Sequence, residues 1–176
     1  MKKAVFLDRD GVVNKAKVLH GRPFPPHSLE ELFILEGVPE AIKLLQSNGF
    51  VVVVVTNQPD VARGIVEREK IESINHEISR RTGVSNFYTC FHDDLDDCFC
   101  RKPKPGLLVE AARDHSLDLK SSFMIGDRWR DVSAGQSVGC ESFFIDYGYL
   151  EKSPTLPFRR VLSLLEAVHL ILGEPE

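Results

Sequence analysis

Phe50-Val51-Val52-Val53-Val54-Val55-Thr56-Asn57-Gln58 is the stretch on which the fold turns. Its five consecutive valines leave no polar face, so a strand built from them must be covered on both sides. Strands of that kind belong to parallel sheets with helices on either face. Four shorter runs repeat the pattern. Val5-Phe6-Leu7 runs into Asp8, Phe87-Tyr88-Thr89 into Cys90, Phe123-Met124-Ile125 into Gly126-Asp127, and Phe143-Phe144-Ile145 into Asp146.

Helical patterns fill the intervals. Val38, Ala41, Ile42 and Leu45 share one face around Pro39, and Asn48-Gly49 ends that helix. Glu67 to Thr82 carries Ile71, Ile74 and Ile78, with Gly83 as the stop. Leu107, Leu108, Ala111 and Ala112 mark a third helix, and a short fourth is expected after Asp131. A last helix is expected over Phe158 to Leu172, with Val161, Leu164, Leu165, Val168 and Leu172 inward. The alternation predicts one α/β domain over 1–176, a doubly wound, three-layer, Rossmann-like parallel sheet. Lys15 to Ser28 and Asp93 to Pro105 read as irregular, and neither is long enough for a large cap domain.

Composition narrows the function. With 43% apolar and 27% charged residues in 176, the chain is globular rather than fibrous or disordered. Lys+Arg number 22 against 26 Asp+Glu, a net charge of −4, which argues against nucleic-acid and anionic-membrane partners. No apolar run approaches the roughly 20 residues of a membrane span. The apolar stretch after Lys2-Lys3 stops at Asp8, too early for a secretory signal. A cytoplasmic monomer acting on a small molecule is the expectation. Its cysteines are then read first as metal ligands, catalytic groups or core residues.

Ligands of such folds sit at the carboxyl ends of the strands, which here carry Asp8, Thr56 and Asp127. Asp131 follows closely, and Lys102 lies just beyond an acidic loop. Clustered carboxylates repel and raise one another's pKa, and a hard cation relieves that repulsion. Mg2+ typically takes one or two carboxylates plus phosphate oxygens, so phosphoryl transfer is the chemistry that fits.

Asp8-Arg9-Asp10-Gly11-Val12-Val13-Asn14 resembles the DxDG(T/V) signature of haloacid-dehalogenase-like phosphohydrolases. Thr56-Asn57-Gln58, Lys102 and Gly126-Asp127-Arg128-Trp129-Arg130-Asp131 match the order and spacing of that superfamily's other motifs. The resemblance implies an aspartyl-phosphate mechanism with Asp8 as nucleophile and Asp10 as general acid, then base. Thr56 and Lys102 would hold the phosphoryl oxygens. Asp8, Asp127 and the Asp10 carbonyl would ligate Mg2+, with Asp131 in support.

Cys90-x-His92-x5-Cys98-x-Cys100 has the ligand set of a structural Zn2+ site. Cys140, alone near a strand, reads as a core residue, and His20, His27, His76, His115 and His169 show no partner pattern. The zinc pattern followed by Arg101-Lys102-Pro103 resembles the branch containing D,D-heptose 1,7-bisphosphate phosphatases and the histidinol-phosphatase domain. In that branch the zinc loop presents the Arg101-Lys102 pair. Thr56 to Gly64 is similar to the heptose-phosphatase form TNQSGIARG, with Pro59-Asp60 replacing Ser-Gly. The expected reaction is Mg2+-dependent hydrolysis of D-glycero-D-manno-heptose 1,7-bisphosphate to the 1-phosphate. Histidinol phosphate or another small ester is the alternative, and a non-catalytic phosphate-binding module is disfavoured because Asp8 and Asp10 are intact. Asn57, Gln58, Arg101 and Arg128 are expected at the substrate, the two arginines on a second phosphate. The Lys15–Pro26 segment departs from the heptose-phosphatase loop; its Lys15, Lys17 and Arg22 would add to a basic mouth.

Overall fold

The computed structural model describes residues 1–173. A central parallel sheet is ordered β5-β4-β1-β6-β7-β8, formed by Asn86–Cys90, Val51–Asn57, Ala4–Leu7, Phe123–Gly126, Glu141–Ile145 and Arg159–Val161 respectively. The valine run forms β4, whose side chains alternate between the two faces. Val52 and Val54 join Val5 and Leu7 under helices α1 (Val38–Ser47), α2 (Arg68–Thr82) and α5 (Leu164–Leu172). Val53 and Val55 join Ala4, Phe6 and Met124 under α3 (Gly106–His115) and α4 (Trp129–Ser137). Both faces are therefore covered, as the unbroken apolar runs require.

Three local expectations change. The chain over Lys15 to Ser28 is not wholly irregular: Lys17–Leu19 (β2) and Arg22–Phe24 (β3) pair as an antiparallel hairpin. The fourth helix begins at Trp129, two residues before Asp131, because the Asp131 carboxylate accepts the Arg128 N–H and caps the first turn. The last helix begins only at Leu164. Ser163 caps it by accepting the Glu166 N–H at 3.1 Å, while Arg159–Val161 is drawn into the sheet as β8 beside β7. Among the described residues, no helix is long and apolar enough to cross a membrane.

The strand order reverses at β1, with β4 on one side and β6 on the other. The carboxyl ends of these three strands deliver Asp8, Thr56 and Asp127 to one edge, where doubly wound folds bind ligands.

Candidate active site

Asp8 follows β1, and its Oδ1 accepts a 2.8 Å bond from Lys102 Nζ. That ammonium also donates to the Val55 carbonyl at 2.7 Å and lies 2.6 Å from Asp131 Oδ1. All three Lys102 protons are thus engaged, and the side chain is 2% exposed. Burial alone would lower the Lys102 pKa, but Asp131 and Asp8 outweigh it and hold the group above its ordinary value. Asp8 is pushed up to about 6, first by burial and then by Asp131, with Lys102 opposing.

Asp127 is 1% exposed and sits well above the usual carboxylate range, first through burial and then through the charges of Asp8 and Asp131. Its Oδ2 accepts the Tyr149 hydroxyl at 2.8 Å, whereas Oδ1 is buried with no hydrogen-bond partner. Carboxylate oxygens of Asp8, Asp127 and Asp131 lie within 4.8 Å of one another. An orphaned carboxylate oxygen in a crowded acidic cluster fits a hard divalent cation. Gly11, at φ +95°, makes the close approach possible: a Cβ there would fall 1.9 Å from Asp127 Oδ2.

Asp10 is held from three directions. Arg9 donates through Nε and Nη2, Asn14 through Nδ2 at 3.0 Å, and Gln58 through Nε2 at 2.7 Å. Arg9 is 0% exposed, and its Nη1 reaches Asn75 Oδ1 on α2 at 2.9 Å. Gln58 also donates to Thr56 Oγ1 at 2.9 Å, leaving the Thr56 hydroxyl hydrogen to donate elsewhere. The structure therefore places Gln58, expected at the substrate, fully buried beneath Asp10. Asn57 clasps the Lys102 backbone, donating to its carbonyl at 3.0 Å and accepting its N–H at 3.1 Å.

Beside this cluster opens a cleft of about 330 Å3 lined by Asp8, Asp10 and five arginines, Arg22, Arg63, Arg101, Arg128 and Arg130. Lys15 and Lys17, expected there from the sequence, do not line it. Arg101 pairs with Asp94 at 2.9 Å, and Arg130 approaches the same carboxylate at 3.3 Å. Arg128 pairs with Glu151, an acceptor that sequence reading did not foresee. Asp60, one of the residues replacing Ser-Gly, accepts from Arg63 at 3.3 Å and lies 2.9 Å from His27 Nε2. His27 thus gains a partner that no spacing announced.

Cys90, His92, Cys98 and Cys100 converge at the end of β5, with one potential ligand atom from each within 4.8 Å of the others. Cys100 Sγ lies 3.2 Å from Cys90 Sγ, 3.4 Å from Cys98 Sγ and 3.3 Å from His92 Nδ1. Tetrahedral Zn–S bonds of about 2.3 Å set S–S edges of about 3.8 Å, so this set needs only slight expansion around the ion. Cys140 is buried elsewhere, its Sγ 3.2 Å from the Leu119 carbonyl.

Arg9, Arg130 and Tyr149 were not singled out from the sequence. Arg9 and Arg130 stood inside two motifs, a usable signal. Tyr149 reaches Asp127 from beyond β7, a tertiary approach that no local pattern encodes.

A family model described as HAD-hydrolase-like matches residues 99–160. The chain is 35% identical over 149 residues, 78% of each chain, to the D-glycero-β-D-manno-heptose-1,7-bisphosphate 7-phosphatase of Pasteurella multocida. It is 37% identical over 143 residues to the enzyme of that name from Photorhabdus laumondii, covering 74% of this chain and 73% of that one. The crystal structure of D,D-heptose 1,7-bisphosphate phosphatase from B. bronchiseptica, complexed with magnesium and phosphate, superposes with a TM-score of 0.85. That match has 29% identity and covers 97% of this chain and 98% of the other. With these likenesses and an intact Asp8–Asp10–Lys102–Asp127 constellation, the chain belongs to the haloacid-dehalogenase-like phosphatases, in the family of the heptose-1,7-bisphosphate 7-phosphatases.

Proposed function

We propose that the chain removes the 7-phosphate of D-glycero-D-manno-heptose 1,7-bisphosphate and leaves the 1-phosphate. The observation that carries this reading is the buried Asp8–Lys102–Asp131 ion-pair chain flanked by Asp10 and Asp127 beside an arginine-lined cleft. The names of the relatives supply the substrate.

Asp8 attacks phosphorus while Asp10 gives its proton to the sugar oxygen, so the P–O bond to the sugar breaks and an aspartyl phosphate forms. Asp10, now a carboxylate, takes a proton from water as that water attacks phosphorus. Inorganic phosphate leaves and Asp8 is restored. Arg9, Asn14 and Gln58 keep Asp10 in one orientation through both halves. Thr56, whose hydroxyl accepts from Gln58 and keeps its own hydrogen, would donate to a phosphoryl oxygen, and Lys102 offsets the charge on Asp8. Asp8, Asp127 and the Asp10 carbonyl would hold Mg2+, which when bound neutralises charge on the phosphoryl group. Cys90, His92, Cys98 and Cys100 would hold a structural Zn2+.

Phosphate release should be followed for both anomers of the heptose bisphosphate, their monophosphates and histidinol phosphate, with and without Mg2+. The expected result is Mg2+-dependent turnover with the highest kcat/KM on a heptose bisphosphate. Higher efficiency on histidinol phosphate would replace the substrate; absence of turnover on every ester would remove the enzyme reading.

A further inference from the structure

After β7, four of the five residues 147–151 fasten the chain to the site and to the hairpin. Tyr147 donates its hydroxyl to the Gly11 carbonyl at 3.0 Å. Tyr149 donates to Asp127 Oδ2 at 2.8 Å. The Leu150 N–H reaches the Gly21 carbonyl at 2.8 Å, in the turn between β2 and β3, and Glu151 takes Arg128. The two tyrosine rings pack with centroids 5.6 Å apart. The segment 147–151 is a strap joining the first motif, the fourth motif and the hairpin.

One detail goes beyond fastening. Of the two Asp127 oxygens, the strap occupies Oδ2 and leaves Oδ1 buried with no protein partner. A buried carboxylate oxygen without a partner is costly unless an ion takes it. The phenol cannot serve Oδ1 as well, because its single hydrogen is committed to Oδ2.

We propose that Tyr149 is a positioning residue for the catalytic cation. It pins Oδ2, fixes the rotation of the Asp127 carboxylate and so dedicates Oδ1 to the metal. This rests on the Mg2+ reading given above. Partners that orient a ligating carboxylate typically carry 10- to 100-fold in metal affinity, and Tyr149 is placed to do so.

The test is Mg2+ binding to the full-length protein, metal-free at this site and with its zinc retained, by isothermal titration calorimetry, on wild type and Tyr149→Phe. The substitution keeps the ring against Tyr147 and removes only the hydroxyl. The expected outcome is a Kd for Mg2+ raised about 10-fold or more, with kcat returning to near the wild-type value once Mg2+ is saturating. Mn2+ titrated by electron paramagnetic resonance should show the same weakening. An unchanged Kd overturns the proposal, as does a kcat loss that no Mg2+ concentration restores, since that is the signature of a merely structural tyrosine. Failure of the wild type itself to bind Mg2+ would instead strike the metal reading beneath it.

Discussion

At the scale of single residues, the acidic cluster divides its labour by hydrogen-bond partner. Asp8 shares one ammonium with Asp131, Asp127 keeps one oxygen unpartnered, and Asp10 is gripped by three side chains. Asp8→Asn should end both turnover and phosphoenzyme formation without unfolding the protein, because an amide fills the same volume and cannot attack phosphorus. Labelling with radioactive phosphate and circular dichroism together check this; phosphoenzyme in the variant would remove Asp8 as nucleophile. Arg9 makes a sharper case. It is buried without exposure, and its guanidinium spans from Asp10 to Asn75. Arg9→Met keeps the apolar stem but leaves Asp10 held only by Asn14 and Gln58, so kcat should fall about 10- to 100-fold on alkyl phosphates. Phosphoenzyme formation from an activated aryl phosphate, whose leaving group needs little protonation, should fall much less. Equal losses on both substrates would mean that Arg9 supports the fold rather than the acid. The motif aspartates were legible because they end apolar strands. The use of Gln58 was not, since nothing local says that its amide turns inward to Asp10.

Elements show a similar division. Helices α1, α2 and α3 follow their apolar spacing, and Gly83 ends α2 with φ 78° as a left-handed stop. The C-terminal boundary was misread because Val161 fits a helical stripe and a strand equally well. Pairing with β7 and the Ser163 cap decide the matter, and neither is visible in periodicity. Ser163→Ala should therefore cost about 1 kcal/mol of stability, measured by denaturant unfolding. No change would mean that the sheet alone sets where α5 begins. The cysteine loop carries a functional consequence. Lys102 is only two residues beyond Cys100, and its ammonium reaches Asp8 at 2.8 Å. Cys98→Ser should lower zinc content, thermal stability and kcat together, as read by metal analysis, calorimetry and turnover. Full activity in a zinc-depleted protein would separate the loop from catalysis. The clustering of Cys90, His92, Cys98 and Cys100 was plain in the sequence; Asn57 clasping the Lys102 backbone from the other side was not.

Over the whole molecule, charge of both signs is concentrated at the cleft, where Asp8, Asp10, Asp60, Asp94 and Asp131 face Lys102 and the arginines. The chain carries a net charge of −4, yet five arginines line the cleft. Four of them are already paired with carboxylates: Arg63 with Asp60 and Asp93, Arg101 and Arg130 with Asp94, and Arg128 with Glu151. Arg22, on the β2–β3 hairpin, has no carboxylate partner among the described residues. A second phosphate entering the cleft would meet Arg22 without first displacing an acid, whereas Arg128 must release Glu151. The distal preference expected of Arg128 from the sequence should thus rest more heavily on Arg22. Charge-assisted hydrogen bonds contribute about 1.5–3 kcal/mol each, so Arg22→Ala should narrow the bisphosphate-over-monophosphate ratio of kcat/KM about 10-fold or more. The loss should fall in KM, because a distal contact is present in ground and transition states alike. Raising salt from about 0.01 M to about 0.15 M shortens the screening length from about 30 Å to about 8 Å, and should depress kcat/KM more for the bisphosphate. Both measurements use the same substrate pair on wild type, Arg22→Ala and Arg128→Ala. If Arg128→Ala narrows the ratio and Arg22→Ala does not, the distal phosphate breaks the Glu151 pair and binds beside the strap. If neither variant changes it, the arginines of the mouth serve its architecture and the preference arises elsewhere.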